Sequence, residues 1–398
     1  NIVNEYEILN GTKPKICLEP FSGSGTTPLE LQKEKIKCYA FEVSPFMYNL
    51  SCTKLVTDYT ISTFCKYRNI LEKELACSQN EYSEADLYPG FRTLVENSGT
   101  QKWNFDKEVM YGILDIKSSI QHIFSHKYKN LFSIALASIL LDVSNVYRNG
   151  KCISYKKDWQ NISKCSREEV HRIFLQKLDS VFVEDIKKLE KYRKNDTLFS
   201  NRAYLFNGDS RLLIQEQIQD NSIDLVITSP PYLNSRDYTD TYMVELKVLD
   251  YMKDLNDISK LRKKTIRSHV QLKWGSVEDI ESETLSQTIN QISEFTDEFW
   301  NKELLNMIKG YFVDMNTIFC SLYDKMTDCG MIYFNVANSA YYGVEVEVDK
   351  IVCEIAENNG FNIKEIREAR RINPSSQQRD TIDDLRESVI VIQKQLRM

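Results

Sequence analysis

The chain has 398 residues, of which 42% are apolar and 27% charged, and its net charge at neutral pH is -6. That length suits two domains or one domain with a large insertion, and the composition is that of an ordinary soluble protein. The acidic balance argues against an indiscriminate polyanion binder, and the longest apolar helical stretch, "NLFSIALASILL" at 130–141, is too short to cross a bilayer and lacks signal-peptide flanks.

In chain order, "KICLE" at 15–19 reads as a short buried strand, followed by the glycine-rich turn "PFSGSGTT" and the helical run "PLELQKEK", with Pro28 at a plausible first helical position. "KCYAFEV" at 37–43 reads as a second strand, so the chain opens as strand, turn, helix, strand, the start of an open α/β sheet. From about 55 to 199 the pattern shifts to long, charged, helix-period segments with few glycines, and 130–141 reads as a buried helix in a cytoplasmic protein. Strand signals return at 203–210, 223–232, 330–339, 361–368 and 387–394. The expected architecture is α/β: one Rossmann-like open sheet, formed by 1–54 and 200–398, interrupted by a mostly helical insertion at 55–199.

Ten cysteines stand at no C-x-x-C spacing and scatter through core-like segments, which predicts reduced structural thiols. His122 and His126 could share a helix face, but without a glutamate after the first or a third ligand nearby no metal site is expected. Bases cluster in two places. Between Arg148 and Arg202 there are 14 Lys/Arg against 8 Asp/Glu, and "SKLRKKTIRSHVQLKW" at 259–274 carries six bases and no acid. Either stretch suits phosphate contact, with a solvated helix face as the plainer alternative.

The chemistry gathers at strand ends. Gly23 and Gly25 lie between strand and helix, where missing side chains let a ligand approach the backbone and the helix N-terminus. The turn is no P-loop, since no Gly-Lys-Ser/Thr follows, and it lacks the third glycine of the dinucleotide fingerprint. Glu42, 17 residues beyond Gly25, ends the next strand and is placed to accept from the two hydroxyls of a ribose. Asp209 in "NGDS" could accept from the exocyclic amine of an adenine, although such a string is more often only a turn. Together the three describe a pocket for an adenosine-containing cofactor. The fourth strand end, "TSPPY" at 228–232, leaves an apolar run through a hydroxyl, two prolines and an aromatic ring, and successive prolines hold their neighbours stiffly extended.

With "LEPFSGSGTT" (18–27), "AFEVSP" (40–45), "NGDS" (207–210), "SIDLVITSPPY" (222–232) and "RESVIVIQK" (386–394), the chain resembles the amino-directed DNA methyltransferases that use S-adenosylmethionine. The resemblance covers both ends of the chain and leaves most of 55–199 unaccounted for. It implies that Glu19, Pro20, Phe21, Gly23, Gly25 and Thr27 lie along the methionine end of the cofactor, Glu42 on the ribose, and Asp209 with Ser210 at the adenine. Ser229, Pro230, Pro231 and Tyr232 would hold the target base. From the charge cluster at 259–274, Arg262, Lys263, Lys264 and Arg267 are the candidates to touch DNA phosphates. In this family the serine form of the second motif goes chiefly with N4 of cytosine, an aspartate there with N6 of adenine. The order of cofactor turn, long insertion and catalytic turn resembles one of the family's permuted arrangements, in which the insertion or the basic segment near 260–270 would recognise target sequence.

Two departures stand out. Glu19 occupies a place where the family more often has aspartate. The chain also begins without a methionine, only a few residues before the first strand, so the helix that in many relatives precedes that strand and covers the cofactor is expected to be absent or incomplete. The implied function is a cytosine-N4 DNA methyltransferase acting on double-stranded DNA, partner of a restriction endonuclease. Adenine N6 or RNA as acceptor, and a silent nucleic-acid-binding module, are the alternatives. Intact Gly23, Gly25, Glu42, Asp209 and Ser229 argue against the silent module, which needs no cofactor pocket, and the serine before Pro-Pro-Tyr argues against glutamine methylation in proteins, whose enzymes usually carry asparagine there.

Overall fold

In the computed structural model, residues 1–398 are described except 79, 88–89, 150–151, 196–202, 235–236, 375–377, 379–380 and 396–398. The chain divides into two units, one of Asn1–Ser44, Arg202–Asp237 and Leu261–Met398, the other of Pro45–Asn201 and Tyr238–Lys260.

The first unit is built on seven strands: β1 (Ile16–Glu19), β2 (Lys37–Glu42), β3 (Ala203–Asn207), β4 (Ile223–Thr228), β5 (Met326–Ala337), β6 (Phe361–Ile372) and β7 (Leu385–Lys394). Their order across the sheet is β6-β7-β5-β4-β1-β2-β3. The first five run parallel, and β7 enters antiparallel between β5 and β6. From β1 the chain builds outward through β2 and β3, then returns to add β4 on the other side, which makes β1/β4 the switch point where ligands settle beyond the strand ends in open α/β sheets. This is the expected Rossmann-like architecture.

Period-two alternation sends neighbouring residues to opposite faces. Cys17, Leu225, Tyr333 and Val391 pack on one side with Val3, Tyr6 and Leu31 of the helices α1 (Ile2–Asn10) and α2 (Thr26–Lys33). Leu18, Val226, Phe334 and Ile390 pack on the other side, with residues of α3 (Ser210–Gln217), α4 (Leu304–Lys325) and α5 (Val348–Asn358). Helix α4 contributes Phe312, Met315, Ile318 and Phe319, all fully buried.

A nine-residue helix precedes β1, where the sequence suggested one that is absent or incomplete. Asn1 caps α1 by accepting from Val3 N at 3.0 Å, and Gly11, at φ 73°, ends it. Arg367 of β6 reaches across to grip Glu5 of α1 with both guanidinium nitrogens, at 2.8 and 2.5 Å. In α2 the proline is not the first helical residue. Gly25 caps the helix at φ 75°, and Pro28 falls third, still within the turn whose N–H groups lack helical partners. Both edges of the sheet are modest or irregular: β3 has five residues, and β6 has twelve with register shifts between Ile363 and Glu365 and between Glu368 and Arg370.

The second unit is mostly helical, with long helices at Ile61–Ala76, Lys107–Gln121, His126–Val143, Arg167–Lys177 and Val183–Asn195 and one short ribbon, Val146–Arg148 with Ile153–Tyr155. The apolar run at 130–141 lies inside His126–Val143, and no described helix is long and apolar enough to cross a membrane. At its centre Asp115 is fully buried among Arg167, His171 and Tyr82. Burial pushes its carboxyl up, but hydrogen bonds from His171 and Arg167 win and hold it well below the usual range. Residues 45–54 and 238–260 join this unit rather than the sheet because Phe46 packs against the rings of Tyr242 and Tyr251. The boundary expected at 199/200 lies outside the described residues. All ten cysteines are free thiols.

Candidate active site

The four predicted strand ends, of β1, β2, β3 and β4, all lie at the carboxyl edge of the parallel strands. Parallel pairing of β1 with β2 and β4 brings Glu19 next to both the glycine turn and Thr228. Glu19 is 3% exposed, and its Oε1 accepts from Thr228 Oγ1 at 2.5 Å and from Phe21 N at 3.0 Å. Burial raises its carboxyl to about 7, while the bonds from Thr228, Phe21 and Thr27 pull it back. Glu19 therefore ties the glycine turn to the residue just before Ser229.

The turn itself is wound on glycine. Gly23 has φ 53° and Gly25 φ 75°, backbone that L side chains seldom adopt, and a Cβ on Gly23 would meet nothing within 4 Å. Glu42 fastens the turn from below: Oε2 accepts from Gly23 N at 2.8 Å and Oε1 from Ser44 N at 2.7 Å. Burial again lifts the carboxyl to about 7 against those two hydrogen bonds. A carboxylate offers about four lone-pair positions, and the backbone N–H groups of Ser44, Gly23 and Val43 all bear on this one. Ser22 N donates to Phe41 O at 2.9 Å and locks the turn to β2.

A cavity of about 280 Å³ opens beside this edge, lined among others by Glu19, Phe21, Ser22, Thr27, Thr228 and Ser229, with Ile2, Tyr333 and Asn335 closing it. Pro20 is buried and does not line it. Glu42, Asp209 and Ser210 do not line this cavity.

Asp209 is held by a neighbouring arginine. It lies beyond β3 as the cap of α3, accepting from Arg211 N at 3.0 Å. Arg211 Nε stands 2.9 and 3.1 Å from its two oxygens and Nη2 is 2.6 Å from Oδ2. Its carboxylate thus faces a neighbouring guanidinium as well as the start of α3. Arg211 continues to the buried Asp314 of α4 at 2.8 Å, which also binds Arg267 at 2.8 and 3.1 Å. Ser210 is buried at the start of α3.

That ladder also sorts the four basic residues of 262–267. Arg267 lies over Gly310, where a Cβ would come within 2.8 Å of its stem, and Arg262 pairs with the buried Asp237. Lys263 and Lys264 are exposed. In the other basic stretch, Arg148 pairs with Glu245, Lys164 with Asp106, Arg167 with Asp115 and Arg172 with Glu169. Residues 150–151 and 196–202 of it lie outside the described residues.

Ser229 is exposed at the end of β4, Pro230 is buried and Pro231 half-buried. Tyr232 is anchored through its hydroxyl, which donates to Glu387 Oε1 at 2.8 Å and accepts from Asn335 Nδ2 at 2.8 Å. Asn335, Glu387 and Thr228 were not singled out from the sequence. The available signals were a polar residue inside the apolar run "MIYFNVA" and an acid at the head of "ESVIVIQK".

No family model matches the chain. It is similar to the type II methyltransferase M.BsoBI of Geobacillus stearothermophilus, 25% identical over 424 residues that span 95% of this chain and 79% of that protein. Against the type II methyltransferase M.AvaI of Nostoc the identity is 28% over 388 residues, 88% of this chain and 73% of the relative. A third similarity, 24% over 234 residues, is to the type II methyltransferase M.MvaI of Kocuria varians and covers 58% of this chain and 49% of that one.

Proposed function

We propose that this chain is a site-specific DNA methyltransferase that moves a methyl group from S-adenosylmethionine to the exocyclic N4 of cytosine, as the modification partner of a restriction endonuclease. The observation that carries the reading is a shared cavity: Ser229, head of the Ser-Pro-Pro-Tyr turn, opens onto the space framed by Phe21, Ser22 and Thr27 of the glycine turn. Similarity to type II methyltransferases over most of the chain supports the same reaction class.

The residues fit the cofactor. Open space over Gly23 admits a ligand against the backbone, Glu42 turns its remaining acceptor capacity to the ribose, and Glu19, Phe21 and Thr27 border the methionine end. At the adenine end, Ser210 and the Asp209–Arg211 pair form the rim, since Arg211 occupies the carboxylate. When bound, S-adenosylmethionine supplies an electrophilic methyl group.

The protein's own task is to ready a poor nucleophile. The amine of cytosine delocalises its lone pair into the ring. The Ser229 hydroxyl and the Pro230 carbonyl each accept one N–H, which favours a pyramidal nitrogen, and the prolines fix both acceptors. Tyr232 offers its face to the extruded base, and such stacking contributes roughly 1–3 kcal/mol against the few kcal/mol that extrusion costs. The neutral serine favours cytosine N4 over adenine N6, and the surplus proton leaves to solvent after transfer. The helical unit is assigned to target recognition, and the exposed Lys263 and Lys264, which belong to the sheet unit, to backbone contact.

The test is to incubate the protein with isotopically labelled S-adenosylmethionine and mixed-sequence DNA, digest, and identify the methylated nucleoside by mass spectrometry. N4-methyldeoxycytidine is expected. N6-methyldeoxyadenosine would reassign the base, and no labelled nucleoside would overturn the reading.

A further inference from the structure

Behind the catalytic turn lies a group of polar side chains that the chemistry above does not use. Glu387 is only 6% exposed, yet its carboxylate takes three donors: the Tyr232 hydroxyl at 2.8 Å, Asn335 Nδ2 at 3.1 Å and Arg370 Nε at 2.6 Å. Strand register accounts for the meeting. Glu387 sits opposite Ala337 and Val389 opposite Asn335, so Glu387 and Asn335 are diagonal neighbours on one face of the β5–β7 ladder. Burial pushes the Glu387 carboxyl up, but the bonds from Arg370, Asn335 and Tyr232 hold it below its ordinary value.

The direction of these bonds matters more than their number. An ionised carboxylate only accepts, so Tyr232 must give its hydroxyl hydrogen to Glu387. The tyrosine oxygen is then left to accept, and it does so from Asn335 at 2.8 Å and from Ser229 Oγ at 3.4 Å. Ser229 thereby commits its single hydrogen toward the protein. A serine in that state can meet an incoming N–H only as an acceptor.

Resting on the methyl-transfer reading, we propose that Glu387 is a positioning residue for the catalytic turn: acting through Tyr232, it directs the hydrogen-bond chain so that Ser229 faces the target amine as an acceptor, and it holds the Tyr232 ring for stacking. Asn335 aligns the chain from the side, and Arg370 keeps its terminal acceptor charged. A glutamine at 387 would present an amide that can donate as well as accept, and the polarity of the chain would be lost.

The experiment is a double-mutant cycle on the full chain with Tyr232→Phe, Glu387→Gln and the pair combined. Methyl transfer is read in a single turnover at saturating DNA and S-adenosylmethionine, cofactor binding by calorimetry, and base capture by 2-aminopurine fluorescence at the target position. Each single change should slow transfer about tenfold, the effect of one hydrogen bond of about 1.4 kcal/mol, with cofactor affinity unchanged. Because both break the same chain, the double variant should be no slower than the slower single one. Losses that multiply to about a hundredfold, or wild-type transfer in Glu387→Gln, would overturn the proposal. Should Glu387→Gln fail to fold, Tyr232→Phe decides alone, since it keeps the ring: slowed transfer with intact cofactor binding supports the proposal, and an unchanged rate sinks it. Absence of transfer by the wild-type protein would remove the functional reading and this inference with it, a result distinct from multiplicative losses in an active enzyme.

Discussion

Replacing Glu42 by glutamine tests the cofactor site at its most loaded carboxylate. In the wild-type protein its two oxygens hold Gly23 N at 2.8 Å and Ser44 N at 2.7 Å, and only an ionised side chain can do that while also accepting from ribose hydroxyls. In the variant one oxygen becomes an NH2 group that faces a backbone donor. A hydrogen bond to a charged group contributes about 1.5–3 kcal/mol, so S-adenosylmethionine should bind about 10- to 100-fold more weakly. The pH dependence is a sharper signature. Because burial places the Glu42 carboxyl at about 7, roughly one-tenth is ionised at pH 6 and nine-tenths at pH 8. Donors from the ribose favour the ionised form, so wild-type affinity should rise about tenfold across that interval, and the variant should be flat. Stability of the ligand-free protein should move the opposite way: the folded state keeps a proton that the unfolded chain gives up at about 4.5, so stability falls as pH rises from about 4.5 to about 7. Glu19 also sits near 7 and its charge helps to raise Glu42, so Glu19→Gln should move the Glu42 slope to lower pH without abolishing it. Titration calorimetry at pH 6 and pH 8 decides the matter. Wild-type affinity in Glu42→Gln, or a pH slope that survives the substitution, would refute the reasoning.

Ser229→Ala should leave cofactor binding intact and slow methyl transfer on the order of 10²-fold, the usual loss for one preorganised hydrogen-bonding group; a wild-type single-turnover rate would remove Ser229 from the chemistry. Lys263→Ala with Lys264→Ala should flatten the dependence of log K for DNA on log salt by about 0.9 per lost contact. Arg262→Ala and Arg267→Ala should instead lower the melting temperature, because each takes a paired cation away from a buried aspartate, Asp237 in the one case and Asp314, which keeps Arg211, in the other. A changed salt slope with unchanged melting in those two would reverse the assignment.

The sheet was legible because most of its strands hold apolar runs bounded by turn residues; β6 is the exception, a charged twelve-residue edge strand that runs on to Ile372, beyond the stretch 361–368 read from the sequence. Glycines 23 and 25 were legible for the same reason in reverse, since left-handed backbone admits little else. The partners of charged side chains were not legible. Nothing in "NGDSRL" says that Arg211 folds back onto Asp209, and nothing in "KLRKKTIR" separates the arginines that seek buried acids from the lysines that stay in water. Those outcomes depend on Asp237 and Asp314, distant in sequence and brought close only by packing. The same holds for Glu387, which reads as the polar start of a strand until β5 sets Asn335 beside it. The first helix illustrates a different limit: nine residues with one buried valine and one buried tyrosine give too weak a periodicity to announce themselves, and it is Arg367, far along the chain, that pins the helix down.

The two rims of the sheet bear on how the protein behaves in company. A sheet that ends in a long, regular strand offers its unpaired N–H and C=O groups to any extended chain. Here β3 is too short to template much, and β6, though twelve residues long, is kinked twice and carries Lys364, Glu365, Arg367, Glu368, Arg370 and Arg371 in quick succession. An approaching strand would have to strip water from those charges and match a register that shifts under it. The arginines that grip Glu5 and Glu387 inside the molecule are therefore also part of what keeps the outside of that strand from recruiting a second chain, so a substitution made to test the active site at Arg370 would also remove one guard from that edge.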